Sequence, residues 1–393
     1  MPRLLYLGDV PVDESFAGST LLYRLFQSYP VDRLLVVETD MQSSPNGRRL
    51  DGVQYLRLRF VRERLLRSRI RNVYGSALAL TTGLQARKVR RLIGSFMPDA
   101  VVSVSHGFTW MTAFRFAKAN DLPFHLILHD DWRHAMPVPR WMQPAIRRRF
   151  ATAYRGATEC YCISRYMVEE YAREFGRKGV VLSPSRGDDC PRYEAPRRSS
   201  SVGMTYAYAG SLHNDGYRDL VLRLASILPA GSRLLVYSPE VTVPPDLNER
   251  IEFRKPLPPS ELIHALRSEA DVLFCPSSFL SEERLAMRMN LPSKLAEYTA
   301  VGVPILIWGP DDSSPVKWGR EHPGAACVVD RNSDAALRNA VDRLEDAEVR
   351  FQLAVGAMKV GDGFFSAASV RAVFHQGLLA TSHGAERPAA SLL

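Results

Sequence analysis

The feature that most restricts the fold is a rhythm. Short unbroken apolar runs at residues 4–7, 34–38, 53–58, 100–104, 124–128 and 158–163 alternate with stretches of helical periodicity at 19–26, 85–96, 110–119, 141–154 and 165–175. Such runs suit strands covered on both faces, and strands that alternate with helices pair in parallel. After an interruption the rhythm returns. Residues 206–209, 233–237, 251–253, 271–275, 304–308 and 325–329 read as strands, with helices over 218–228 and 259–268. The interruption, 184–203, is rich in Pro, Gly, Arg and Asp and contains Ser199-Ser200-Ser201, the composition of a linker. The expectation is an α/β chain of two Rossmann-like parallel units, 1–188 and 204–364, joined by a linker over 189–203. Residues 365–380 are expected to form a C-terminal helix that packs back on the first unit, and 381–393 a flexible tail.

No apolar run approaches the roughly 20 residues of a membrane helix. The N-terminal apolar stretch meets Asp9 too soon for a signal peptide. Five scattered cysteines, an odd number, fit a reducing cytoplasm better than a disulfide framework. Cys160-Tyr161-Cys162 lacks the second pair a zinc site would want. The net charge of +9 is uneven. Residues 1–198 hold 32 Lys and Arg against 19 Asp and Glu, and the remainder 19 against 23, so the two parts are +13 and −4. A basic half suits an anionic membrane face or an anionic substrate. Nucleic acid is not expected, because no helix-turn-helix, RNA-recognition or zinc motif accompanies the charge. The basic segments 57–71 and 140–149 carry interleaved apolar and aromatic residues. Over 60–71, Val61, Leu65, Leu66 and Ile70 fall on one side of a helix, as for a helix lying on a surface, either the protein's own or a membrane's.

Ligands of parallel sheets bind beyond the carboxyl ends of the strands. That position is occupied by Gly18 and Ser19 after the first strand, by His106, and by His129-Asp130-Asp131-Trp132. Gly18 opens a helix whose first N–H groups could face an anion, but no G-x-G-x-x-G is present and no dinucleotide fold is implied. Asp130-Asp131 lacks the spacing of a D-x-D metal motif, and no metal is expected. In the second unit, residues 291–307 read as loop, helix and strand. Pro292 is placed to open the helix and Gly302 to end it. Lys294 and Glu297 share one side of the first turn. Two readings are open: a surface i,i+3 ion pair, or a diphosphate held by Lys294 and the helix N-terminus with Glu297 on a ribose.

The run LPSKLAEYTAVGVPIL resembles the donor helix of GT-B glycosyltransferases near family four, in the branch with P-S-K-x-x-E-Y. Further segments fall in the family's order: LLYLGDVPVDESFAGST, LILHDDW, ECYCISRYMVEEYAREFG, YAYAGSL and SEADVLFCPSS. The resemblance implies two Rossmann-like domains facing across a cleft, a nucleotide-sugar donor on the C-terminal domain and a glycan or lipid-linked acceptor on the N-terminal one. It implies donor contacts from Gly18, Ser19, Gly210, Ser211, Arg254, Ser293, Lys294 and Glu297. His129 and Asp130 would stand at the reacting sugar and acceptor. Transfer would retain configuration, with no metal and no cofactor beyond the nucleotide-sugar substrate. The enzyme would be cytoplasmic, at the inner face of the membrane. Three positions depart from the pattern: Met289 replaces a Glu, Ser211 an Arg and Gly216 a Lys. A sugar-nucleotide 2-epimerase and a non-catalytic GT-B scaffold at a membrane assembly complex share the architecture.

Overall fold

In the computed structural model, residues 1–15, 17–40, 47–132, 136–198, 203–212 and 215–380 are described. The expected tail, the Ser199-Ser200-Ser201 run and His213-Asn214 lie outside them. The chain divides into two compact units, one of Met1–Leu182 with the segment from Val370 on, the other of Ser183–Ser369.

The first unit contains β1 (Leu4–Gly8), α1 (Ala17–Phe26), β2 (Leu34–Asp40), β3 (Gln54–Arg62), α2 (Glu63–Leu66), α3 (Arg71–Leu80) and α4 (Thr82–Leu92). It continues with β4 (Ala100–Val104), α5 (Thr109–Ala119), β5 (Phe124–Leu128), α6 (Gln143–Gly156), β6 (Glu159–Cys162), α7 (Arg165–Phe175) and β7 (Val180–Val181). The seven strands form one parallel sheet in the order β3-β2-β1-β4-β5-β6-β7. β1, β4 and β5 are buried at every position, as unbroken apolar strands require. Ser164 caps α7, its side chain accepting from Met167 N, and Gly176 ends that helix in the left-handed conformation.

Two segments differ from the sequence reading. The expected surface helix over 60–71 is not one: β3 runs through Arg62, and only the single turn of α2 follows. The pairing of β3 with β2 shifts register between Glu38 and Asp40, and Leu58 and Val61, three residues apart, are both buried; that pairing overrides the helical period. The helix α3, in contrast, has no counterpart in the sequence reading.

The second unit contains β8 (Thr205–Ala209), α8 (Asp215–Ile227), β9 (Arg233–Tyr237), β10 (Ile251–Arg254), α9 (Pro259–Glu269), β11 (Val272–Pro276) and α10 (Arg284–Met289). Then come α11 (Lys294–Val301), β12 (Ile305–Trp308), α12 (Ser314–Glu321), β13 (Cys327–Val329), α13 (Asp334–Arg343) and α14 (Ala347–Phe364). Its sheet is again parallel, in the order β10-β9-β8-β11-β12-β13. The two faces of β8 feed two cores. Tyr206 and Tyr208 pack with Leu220 and Leu224 of α8 and Leu337 of α13, while Ala207 and Ala209 pack with Ile263 of α9 and Leu295 and Tyr298 of α11. The last helix, α15 (Ala367–Ala380), enters the first unit at Val370, where Phe374 meets Phe26 and Tyr161 edge-on or tilted at 5.8 and 5.3 Å.

Residues 183–198 are not a free linker. Arg186 donates to Ala296 O at 3.2 Å and to Thr299 Oγ1 at 3.1 Å, and pairs with Asp362. Arg197 donates to Arg267 O and Ala270 O and pairs with Asp271 at 3.3 Å. These arginines tie the stretch to the second unit, which starts at Ser183 rather than near residue 204.

Candidate functional site

In the second sheet the strand order turns back between β8 and β11, the position at which ligands of open α/β sheets bind. Three pieces of chain meet there. Gly210 follows β8, Ser277-Ser278 follows β11, and α11 begins at Lys294. Tyr298 OH accepts from Ala209 N at 2.8 Å, which fixes α11 to the end of β8. Helix α11 is buried along its whole length after Lys294. Gly302, left-handed at φ 72°, ends the helix, and Arg267 donates to Val301 O at 2.8 Å.

Lys294 is partly buried, at the end of the helix where free N–H groups concentrate positive potential. Its Nζ lies 4.0 Å from the centre of the Tyr208 ring and 5.7 Å from that of Tyr217. Among the described residues no carboxylate pairs with it, so the surface ion pair with Glu297 is absent. Burial pushes its pKa down to about 8, with only the Cys275 thiol acting the other way. Two aromatic faces are thus what stabilises a desolvated ammonium, each a modest contribution. Gly210 has φ 151°, and a Cβ there would stand 2.8 Å from Lys294 Nζ and 2.9 Å from Tyr208 OH. The main chain of Gly210 therefore lies against the ammonium with no side chain between. Tyr208 and Tyr217, which form the cradle, carry no signal in the sequence that sets them apart from other aromatics.

The other expected donor contacts are distributed around this point. Ser293 takes the N-cap position of α11 in helical geometry and makes no capping bond with its side chain. Glu297 is buried one turn into the helix. Ser211 is exposed, and its carbonyl accepts from Tyr208 OH at 2.9 Å. Arg254 stands apart, at the end of the edge strand β10, in ion pairs with Glu252 at 2.7 Å and Glu269 at 3.4 Å. The departures from the family pattern also have physical causes. A Cβ at Gly216 would run into Ser278 Oγ and approach Glu283, so no lysine fits there without movement. Met289 is fully buried, where an unpaired carboxylate would be costly.

In the first unit the strand order turns back between β1 and β4. His106 follows β4 and His129 follows β5, and their ring centres are 5.6 Å apart. A Cβ at Gly18 would lie 3.2 Å from His129 Nε2, so Gly18 admits the imidazole. Ser19, by contrast, is fully buried, with its hydroxyl 3.5 Å from that of Ser15. His129 Nε2 is 3.5 Å from the half-exposed carboxylate of Asp130. Burial pushes both imidazoles down to about 4, so they are neutral near pH 7. Ligand atoms of His106, His129 and Asp130 lie within 4.8 Å of one another, a grouping that could hold a metal ion. Spacing in sequence does not reveal it, because His106 comes from a different strand.

Residues 44–184 match the sequence model of Glycosyltransferase Family 4. No curated protein matches the chain in sequence. Solved structures share its fold. Sucrose-phosphate synthase from Thermosynechococcus elongatus superposes with a TM-score of 0.70 at 12% identity, covering 98% of this chain and 100% of that one. Anabaena HepE in complex with UDP-glucose superposes with a TM-score of 0.68 at 13% identity, covering 97% and 100%. The lipopolysaccharide outer core galactosyltransferase WaaB does so with 0.62 at 13%, covering 96% and 99%. The fold is that of the GT-B glycosyltransferases, and the resemblance to family four lies within the first unit and the two residues after it.

Proposed function

We propose that this chain is a glycosyltransferase that moves a hexosyl group from a nucleoside-diphosphate donor to a glycan or lipid-linked acceptor, with retention of configuration. The observation that carries the reading is Lys294: a desolvated ammonium without a carboxylate partner among the described residues, at a helix N-terminus and a strand-order reversal, against the open main chain of Gly210. An anion supplies what this site lacks. HepE, solved with UDP and with UDP-glucose, supports a nucleotide-sugar as that anion.

The chemistry follows from charge. Breaking the bond between the anomeric carbon and the diphosphate oxygen leaves a negative charge on the departing group. Lys294, the N–H groups of α11 and the Gly210 main chain stabilise it as it forms. The acceptor oxygen bonds to the anomeric carbon and its proton passes to a phosphate oxygen, so no metal or cofactor enters the balance. Glu297 holds ribose hydroxyls. Neutral His129 donates or accepts a hydrogen bond at the sugar, and Asp130 orients the acceptor hydroxyl. A lipid-linked acceptor and work at the inner face of a membrane from the cytoplasm suit the basic first unit. Among the described residues no helix is long and apolar enough to cross a membrane.

The test is nucleotide binding by Lys294→Met, which keeps the stem and removes the charge. One charge-assisted phosphate contact is worth roughly 1.5–3 kcal/mol, so affinity should fall about ten- to a hundredfold. A thermal-shift panel of UDP, GDP, ADP, CMP and dTDP finds the base. No stabilisation by any of the five, or equal affinity in the variant, overturns the reading.

A further inference from the structure

The helix α3 and its continuation into α4 expose an apolar line that no element covers among the described residues of the first unit. Ile70, Val73, Leu80 and Leu84 are 53, 71, 64 and 61% exposed, and Ala77 is also exposed. Their spacing of three, four, three and four residues is that of one stripe along a helix. The helix is effectively unbroken: Thr81 N donates to Ala77 O at 3.0 Å and Gln85 N to Thr81 O at 3.1 Å. The opposite side, with Gly75, Leu78, Ala79, Gln85, Ala86 and Val89, is buried in the unit. The stripe is therefore surplus to folding. That buried side faces α6 and the chain leading into it, since a Cβ at Gly75 would strike Pro137 O and Arg149 donates to Ala79 O at 2.5 Å. Trp141 of that chain is 76% exposed.

Charge decides what covers the stripe. Residues 57–92 hold 11 Lys and Arg and one acid, Glu63, and residues 140–156 add five arginines and no acid. Arg67, Arg69 and Arg71 flank the near end of the stripe, and Arg87, Lys88 and Arg91 the far end; all six are exposed. A second copy of this chain would bring two such basic faces together, which is repulsive. We infer that α3–α4 is a membrane-binding helix pair, whose apolar stripe enters the surface of an anionic bilayer while the flanking arginines hold its headgroups. The combination of an apolar line and a basic border is what an interfacial helix requires. This deepens the membrane location proposed above and rests on that part of the reading, but not on sugar transfer, because no residue of the candidate sites is involved.

Flotation of the full chain with vesicles tests it. Binding is expected to phosphatidylcholine vesicles containing phosphatidylglycerol, not to phosphatidylcholine alone, and to weaken from low to physiological salt. Val73→Asp with Leu80→Asp should reduce binding at least about tenfold, and Arg69→Gln on the order of fivefold. Both should leave melting temperature and nucleotide binding unchanged, since the side chains are exposed. Absence of binding to the anionic vesicles, or equal binding by the Asp variant, overturns the inference. So does a shift of that variant from dimer to monomer with flotation intact, which would make the stripe an interface between copies.

Discussion

Lys294 shows how a single group ties binding to pH. Its folded pKa of about 8 lies below the ordinary lysine value of 10.5, so the free site loses its positive charge as pH rises through about 8. The charged form is disfavoured by the fold below that pH, and an anion relieves the penalty. Nucleotide affinity is therefore expected to be constant on the neutral side and to decline above pH 8, the bound state holding its proton to somewhat higher pH. Titrations of nucleotide across this range check it. Affinity that is flat to pH 9.5, or that rises, would remove Lys294 from the anion site. Lys294→Arg, whose group stays charged throughout, should abolish the decline if it binds.

At the scale of elements, the first unit depends on a bond set that joins distant parts of the sequence. Asp9, just past β1, is buried, and its carboxylate accepts from Phe108 N at 2.6 Å and Thr109 N at 2.7 Å. It also accepts from Thr39 Oγ1 and Thr109 Oγ1, both at 2.6 Å. One side chain thus caps α5 from a hundred positions away and ties the loop after β1 to the end of β2 and the loop after β4. Asp9→Ala leaves buried donors without an acceptor and is expected to cost about 3 kcal/mol or more of unfolding free energy. A denaturant titration that gives a loss of less than about 1 kcal/mol would show that water or a neighbour replaces the carboxylate.

For the whole molecule, the first unit is built from both ends of the chain. Val370, Phe374 and Leu378 of α15 sit in the same core as Leu4, Tyr6 and Phe26. Gly377 allows the approach, since a Cβ there would strike Tyr161 OH. Phe374→Ala should destabilise that unit by about 3–5 kcal/mol, the ordinary penalty for emptying an aromatic site in a core. Hydrogen exchange over β1 and β6 reads the effect, and protection unchanged there would show that α15 is dispensable. Arg186, expected in the first unit, and Arg197, expected in the linker 189–203, are both tied into the second unit, through carbonyls and carboxylates that no local pattern announces.

What the sequence determined by itself was the parallel α/β class, the strands other than β7, and the loop–helix–strand of 291–307 with its end at Gly302. These are local: apolar runs, periodicity and caps are written in adjacent residues. It placed a helix over 60–71 and missed α3, because an arginine-rich stretch carries a helical period that strand pairing overrides, while the exposed face of α3 is apolar and blurs the usual contrast. Only the tertiary structure decided that Lys294 faces two tyrosines and a bare glycine instead of Glu297, that His106 joins His129, and that the last helix closes the first core. Each is a contact between residues far apart in the chain, fixed by strand order and packing, which leave no local trace.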